Sequence, residues 1–158
     1  MRSLVVFYSR TGNAKFVAEN VASELGADTE EVIDLKNRRG RLGFLKAGYD
    51  ATRFKETTIE KTKKSPRDYD LIVIGTPVWN SRLTPAIRTY LKENDLSQKK
   101  IALFSTSEGR GSEKTLAMMK SLIPNADIVG ELGITKTIEN REETERKIIA
   151  WCNKLKSA

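Results

Sequence analysis

Histidine is absent from this 158-residue chain. Its absence removes the usual imidazole base, the Ser-His and Cys-His nucleophile pairs and the commonest zinc ligand. Cysteine is nearly absent too: Cys152 stands alone, which rules out an internal disulfide and any cysteine-rich metal or iron–sulfur site. No run of about 18 apolar residues exists to span a bilayer. The apolar stretch behind Met1-Arg2-Ser3 is too short for a signal-peptide core, so a cytoplasmic protein is expected. What is present is 39% hydrophobic and 31% charged residues, the balance of a folded globular chain. The length fits one domain over residues 1–158. With so few catalytic side chains, the chemistry is expected to come from a cofactor.

Leu4-Val5-Val6-Phe7-Tyr8 is apolar on both faces, as a central parallel strand covered by helices must be. Leu71-Ile72-Val73-Ile74-Gly75 and Ile101-Ala102-Leu103-Phe104 read the same way. Weaker strand patterns occupy residues 31–35 and 128–135, the latter interrupted by Gly130 and Gly133. Helical patterns separate them. Phe16, Val17, Asn20, Val21 and Leu25 recur at helical spacing, with Gly26 as the stop. Thr84 and Pro85 open a helix to Glu93, as N-cap and first residue. Ser112 and Glu113 open another that reaches Leu122, and residues 140–156 form a terminal amphipathic helix. Cys152 sits there among Ile148, Ile149 and Leu155, where a lone thiol is a small buried hydrophobe. Trp151 reads as packing in the same way. Strand and helix alternating at this spacing predict βαβ units and a doubly wound sheet. The irregular stretch is 36–67, where Gly40, Gly43 and Gly48, with Phe44, Leu45 and Tyr49, suggest a short helix on a long excursion.

In such a sheet, ligands bind beyond the carboxyl ends of the strands. Three loops there are unusual in composition. Ser9-Arg10-Thr11-Gly12-Asn13-Ala14 joins a strand to a helix N-terminus, whose free amides and dipole favour a phosphate, with Ser9, Thr11 and Asn13 as side-chain donors. The alternative is an ordinary N-capped turn. It is neither a Walker loop nor a dinucleotide fingerprint. Gly75-Thr76-Pro77-Val78-Trp79-Asn80-Ser81-Arg82-Leu83 puts a large aromatic just past the third strand, to stack on a planar ring or to pack on a neighbouring loop. Ser105-Thr106-Ser107-Glu108-Gly109-Arg110-Gly111 has glycines that admit a flat ligand, or simply turn flexibly. Taken together, the loops describe one crevice with a phosphate end and an aromatic end.

Ser9 to Ala14 resembles the phosphate loop of flavodoxins, Ser/Thr-x-Thr-Gly-x-Thr/Ala. Gly75-Thr76-Pro77-Val78-Trp79, followed by Pro85-Ala86-Ile87-Arg88, is similar to the second flavin loop of short flavodoxin-family proteins. Gly43-Phe44-Leu45-Lys46-Ala47-Gly48 is also similar to a segment of that group. The resemblance covers nearly the whole chain. It implies an α/β flavodoxin-like fold, a doubly wound five-stranded parallel sheet in the order 2-1-3-4-5 with helices on both faces, and a tightly held flavin mononucleotide, FMN. Ser9, Arg10, Thr11, Gly12, Asn13 and Ala14 would surround the phosphate; Pro77, Val78, Trp79 and Asn80 would border the isoalloxazine, with Thr76 counted among the cofactor-binding residues. Thr106, Ser107, Glu108, Gly109 and Gly111 would close its other side. Ala14 stands where many members have Thr, and the third loop carries no Tyr.

The function this implies is electron transfer between redox partner proteins; the alternative is an FMN-dependent NAD(P)H:quinone-type oxidoreductase. Members of the family are typically acidic, whereas this chain carries a net charge of +7 and a pI near 9.5. The excess is local: residues 36–67 hold 11 Lys or Arg against 3 Asp or Glu. The segment is either a solvated basic surface or a docking lobe, and on the second reading an acidic redox protein, such as a ferredoxin-like donor, is the expected partner of a monomer or weak dimer. No nucleic-acid-binding module is recognisable in that segment.

Overall fold

The computed structural model describes residues 1–36, 42–43, 45–46, 49–50 and 56–158. Alternation sets its architecture. Strand β1 (Ser3–Phe7) is buried along its whole length. Leu4 and Val6 point into one apolar cluster and Val5 and Phe7 into the other, as the two-residue period of a strand requires. β3 (Leu71–Pro77) and β4 (Lys100–Ser107) divide their side chains in the same way. With β2 (Asp28–Glu31) and β5 (Asp127–Thr135) at the edges they form a five-stranded sheet in the order β2-β1-β3-β4-β5, every pairing parallel. This is the order the flavodoxin resemblance implies.

Among the described residues, four helices cover the two faces. α1 (Asn13–Leu25) and α4 (Arg141–Lys156) lay Val17, Val21, Ile148, Trp151, Cys152 and Leu155 on one face. α2 (Pro85–Glu93) and α3 (Ser112–Leu122) lay Ile87, Tyr90, Leu116 and Met119 on the other. α1 stops at Gly26, whose left-handed conformation (φ 59°) lets its amide reach back to the Ser23 carbonyl. α2 starts where Thr84 Oγ1 accepts the Ile87 amide hydrogen at 3.5 Å, with Pro85 in the first turn. Burial holds the Cys152 thiol at a pKa of about 11, in keeping with a packing residue. Glycine lets α4 approach β5 and an aromatic ring lie over β3: a Cβ at Gly130 would lie 2.8 Å from Leu155, and one at Gly75 would run into the Phe104 ring.

One element is displaced from its predicted position. The second strand is Asp28–Glu31, not 31–35. Its side chains are polar because it lies at the sheet edge, and its place is fixed by backbone pairing, from Leu4 with Asp28 to Phe7 with Glu31. Only Glu30 turns inward. Its carboxylate accepts the amide hydrogens of Lys63 and Lys64 at 3.0 and 3.1 Å, anchoring the chain that returns from the excursion. In the excursion itself, Leu42, Gly43, Leu45, Lys46, Tyr49 and Asp50 are helical. Gly40, Phe44, Gly48 and the basic residues Arg38, Arg39 and Arg41 lie outside the described residues. Among the described residues, no helix is long and apolar enough to cross a membrane.

Candidate functional site

Three strands end side by side, and each of their following loops turns over the same edge of the sheet. Val78 N–H donates to the Thr106 carbonyl at 2.8 Å, tying the second loop to the third. Between the loops lies a cavity of about 160 Å³. From the first loop it is lined by Ser9, Arg10, Thr11, Asn13 and Ala14; from the second by Pro77, Val78 and Trp79; from the third by Thr106, Ser107 and Glu108. Eleven of the sixteen residues expected in the site are thus brought together.

The first loop ends in a turn that only glycine takes without strain. Gly12 has φ 101° and precedes α1 directly, with no side chain capping the helix and no acidic residue in its first turn. Ser9 Oγ accepts the Gly12 amide hydrogen at 3.1 Å, which folds the loop back on itself. A helix entrance with open amides and no carboxylate of its own suits an anion. Asn13 begins the helix, and its amide nitrogen donates to Glu108 Oε1 at 3.3 Å, spanning the crevice from first loop to third.

The second loop closes a tight turn. Trp79 and Arg82 exchange both backbone hydrogen bonds, at 2.9 and 3.0 Å, while Asn80 and Ser81 adopt φ of 50° and 60°. The turn presents a half-buried Trp79 indole edge-on to Tyr8, with ring centroids 5.5 Å apart at 86°. Tyr8 is a site-supporting residue that sequence reasoning left in the strand. Its signal was an aromatic at the last position before the phosphate-type loop.

On the third loop, the Thr106 side chain is 3% exposed and its hydroxyl has no partner, at the wall of the cavity. The Ser107 hydroxyl instead accepts from Ser112 Oγ at 3.4 Å and lies 3.5 Å from Thr135 Oγ1. Thr76 is fully buried behind the second loop. Its hydroxyl donates to the Pro77 carbonyl and accepts the Thr84 amide hydrogen, so it holds the loop to the start of α2 and does not line the cavity. Gly12, Asn80, Gly109 and Gly111 also lie off the wall and shape the loops. Gly111 repeats the Gly12 conformation at the start of α3, with φ 101°.

This architecture recurs in solved structures. A flavoprotein from Lactobacillus acidophilus, solved in complex with FMN, matches with a TM-score of 0.74 at 22% identity, over 87% of this chain and 96% of that one. A flavodoxin from Megasphaera elsdenii, two-electron reduced, matches with a TM-score of 0.60 at 17% identity, over 96% and 98%. A flavodoxin, WrbA-like protein from Agrobacterium tumefaciens matches with a TM-score of 0.61 at 15% identity, over 96% and 95%. At such identities the likeness is one of fold. No curated protein sequence matches the chain. Residues 2–155 match the flavodoxin family profile, which spans all five strands and every loop of the crevice; the chain belongs to the flavodoxin family.

Proposed function

We propose that the crevice binds one FMN non-covalently and that the protein carries electrons between redox partner proteins. The observation that carries this reading is the convergence, in one cavity, of the uncapped entrance of α1 with Trp79 and the partnerless buried hydroxyl of Thr106. The residues present fit the cofactor. The amides at the start of α1, with the Ser9, Thr11 and Asn13 side chains, would hold the phosphate. Among the described residues, Arg10 adds the one positive side chain on the cavity wall. Trp79, braced by Tyr8, would border the isoalloxazine, and Thr106 would meet a polar ring or ribityl atom. When bound, the flavin supplies the redox chemistry, while the protein positions it and limits its contact with water. The basic stretch 36–67 would steer an acidic partner, such as a ferredoxin-like protein, by long-range attraction.

Purified protein with flavin absorption, releasing FMN on denaturation, supports the reading; a colourless protein that takes up no FMN removes it. The phosphate end has its own test. Gly12→Asp places a carboxylate beside the anion, at a cost of several kcal/mol in a partly dry site, and should abolish FMN binding while riboflavin binding persists.

One observation favours a second reading, an NAD(P)H:quinone-type oxidoreductase. Glu108, Gly109 and Arg110 are exposed, Gly109 has open space where a Cβ would stand, and the third loop offers no aromatic to cover the flavin. Rapid NADPH-dependent reduction of a quinone by the FMN-loaded protein alone would select this reading over the carrier.

A further inference from the structure

Among the described residues, Glu108 is the only acidic one on the wall of the crevice, and it faces the end that suits an anion. Its carboxylate holds the Asn13 amide at 3.3 Å, across 95 residues of chain. The other end of that amide gives it no second anchor: Asn13 Oδ1 is buried without a partner. The orientation of Asn13, the first residue of α1, is therefore held by Glu108. A phosphate at the helix entrance competes for the same nitrogen. If Asn13 keeps both contacts, two anions share one amide; if it turns to the phosphate, the Glu108 bond breaks. In either case the carboxylate works against a phosphorylated ligand and has no such effect on an uncharged one. Gly109, next along the chain, has nothing within 4 Å of its Cβ position, and Glu108 itself is exposed.

We propose that Glu108 is a specificity-determining residue of the crevice. It bolts Asn13 across the mouth and must yield that amide to an incoming phosphate, which sets the margin between phosphorylated and unphosphorylated flavin. The inference rests on the FMN reading above.

Fluorescence titrations of FMN and riboflavin into the full chain and into Glu108→Gln test it. Glutamine keeps a hydrogen-bond acceptor beside Asn13 and removes the charge. FMN affinity should rise by roughly three- to ten-fold at low salt, and the gain should shrink towards 0.5 M salt as charge is screened. Riboflavin affinity should stay within about two-fold, the scale of an exposed neutral change. Glu108→Ala separates charge from positioning: if the residue serves only to orient Asn13, alanine weakens FMN binding and glutamine leaves it unchanged, which overturns the proposal. Equal shifts for FMN and riboflavin overturn it as well, because the residue would then act on the ring. Failure of every protein to bind either flavin removes the FMN reading itself, and this inference with it.

Discussion

Helices α1 and α3 begin with the same backbone device in different surroundings. Each follows a glycine at φ 101°, with ψ of −10° and −7°, and neither glycine offers a side chain to cap the first turn. At Gly12 a Cβ would meet nothing within 4 Å. At Gly111 it would stand 2.8 Å from both Cα and Oγ of Ser81 and 2.9 Å from Val78. One entrance is open and has no acid in its first turn; the other carries Glu113 and is pressed against the second loop. The same local geometry thus leaves one entrance open, as the proposed phosphate site requires, and packs the other against a loop. Neighbours, not dihedral angles, distinguish the two roles.

Alanine at each position separates the two costs. At Gly111 it meets both the left-handed backbone penalty and a clash with the Ser81 backbone, together about 3 kcal/mol. For a chain of this size that lowers Tm by roughly 6–12 °C. Gly12→Ala meets only the backbone penalty, about 1 kcal/mol, or roughly 2–4 °C. Thermal melts of the two flavin-free variants check this, and equal losses would show that space around the glycine is irrelevant.

The second loop, on which Gly111 leans, carries Trp79, whose removal should act on the ligand more than on the fold. The indole is half-buried and meets Tyr8 edge-on, a contact worth roughly 0.5–1.5 kcal/mol beyond area burial. Adding the lost flavin contact, Trp79→Ala should weaken FMN binding by about ten-fold, as read by titration of flavin fluorescence. An unchanged affinity and an unchanged flavin spectrum would reduce Trp79 to a brace for the turn.

Much of this arrangement was legible in the sequence because it rests on local rules. β1, β3 and β4 were readable as strands buried on both faces, and Thr84-Pro85 and Gly26 mark helix ends by their own conformations. β2 was not readable, because Val32, Ile33 and Leu35 draw attention to the wrong residues. Asp28–Glu31 pairs through its backbone and has no apolar face to advertise. The crevice shows the same division. Loop composition located it, but composition does not say which way a hydroxyl points. Thr76 and Thr106 look alike in sequence and pair with adjacent stretches of the sheet; one turns to Thr84 behind the loop and the other to the cavity wall.

That pair of threonines gives the smallest of the expected effects. Thr76 Oγ1 has its partners within the fold, the Pro77 carbonyl at 2.9 Å and the Thr84 amide at 3.2 Å. Thr106 Oγ1 has none, although its side chain is 3% exposed. Valine matches threonine in shape and lacks the hydroxyl. Removing a buried hydrogen-bonded hydroxyl strands its partners and costs about 1–3 kcal/mol, whereas removing one that is already unpaired leaves nothing stranded. Thr76→Val should therefore lower the Tm of the flavin-free protein, and Thr106→Val should hold or slightly raise it. With FMN present the order reverses for Thr106, whose hydroxyl would then lose a bond worth roughly 0.5–1.5 kcal/mol, a two- to ten-fold weaker affinity. The signature is a smaller FMN-induced rise in Tm for Thr106→Val from an undiminished starting point. A lowered flavin-free Tm for Thr106→Val would mean that its hydroxyl already has a partner in the fold, and would place it with Thr76 as a structural residue.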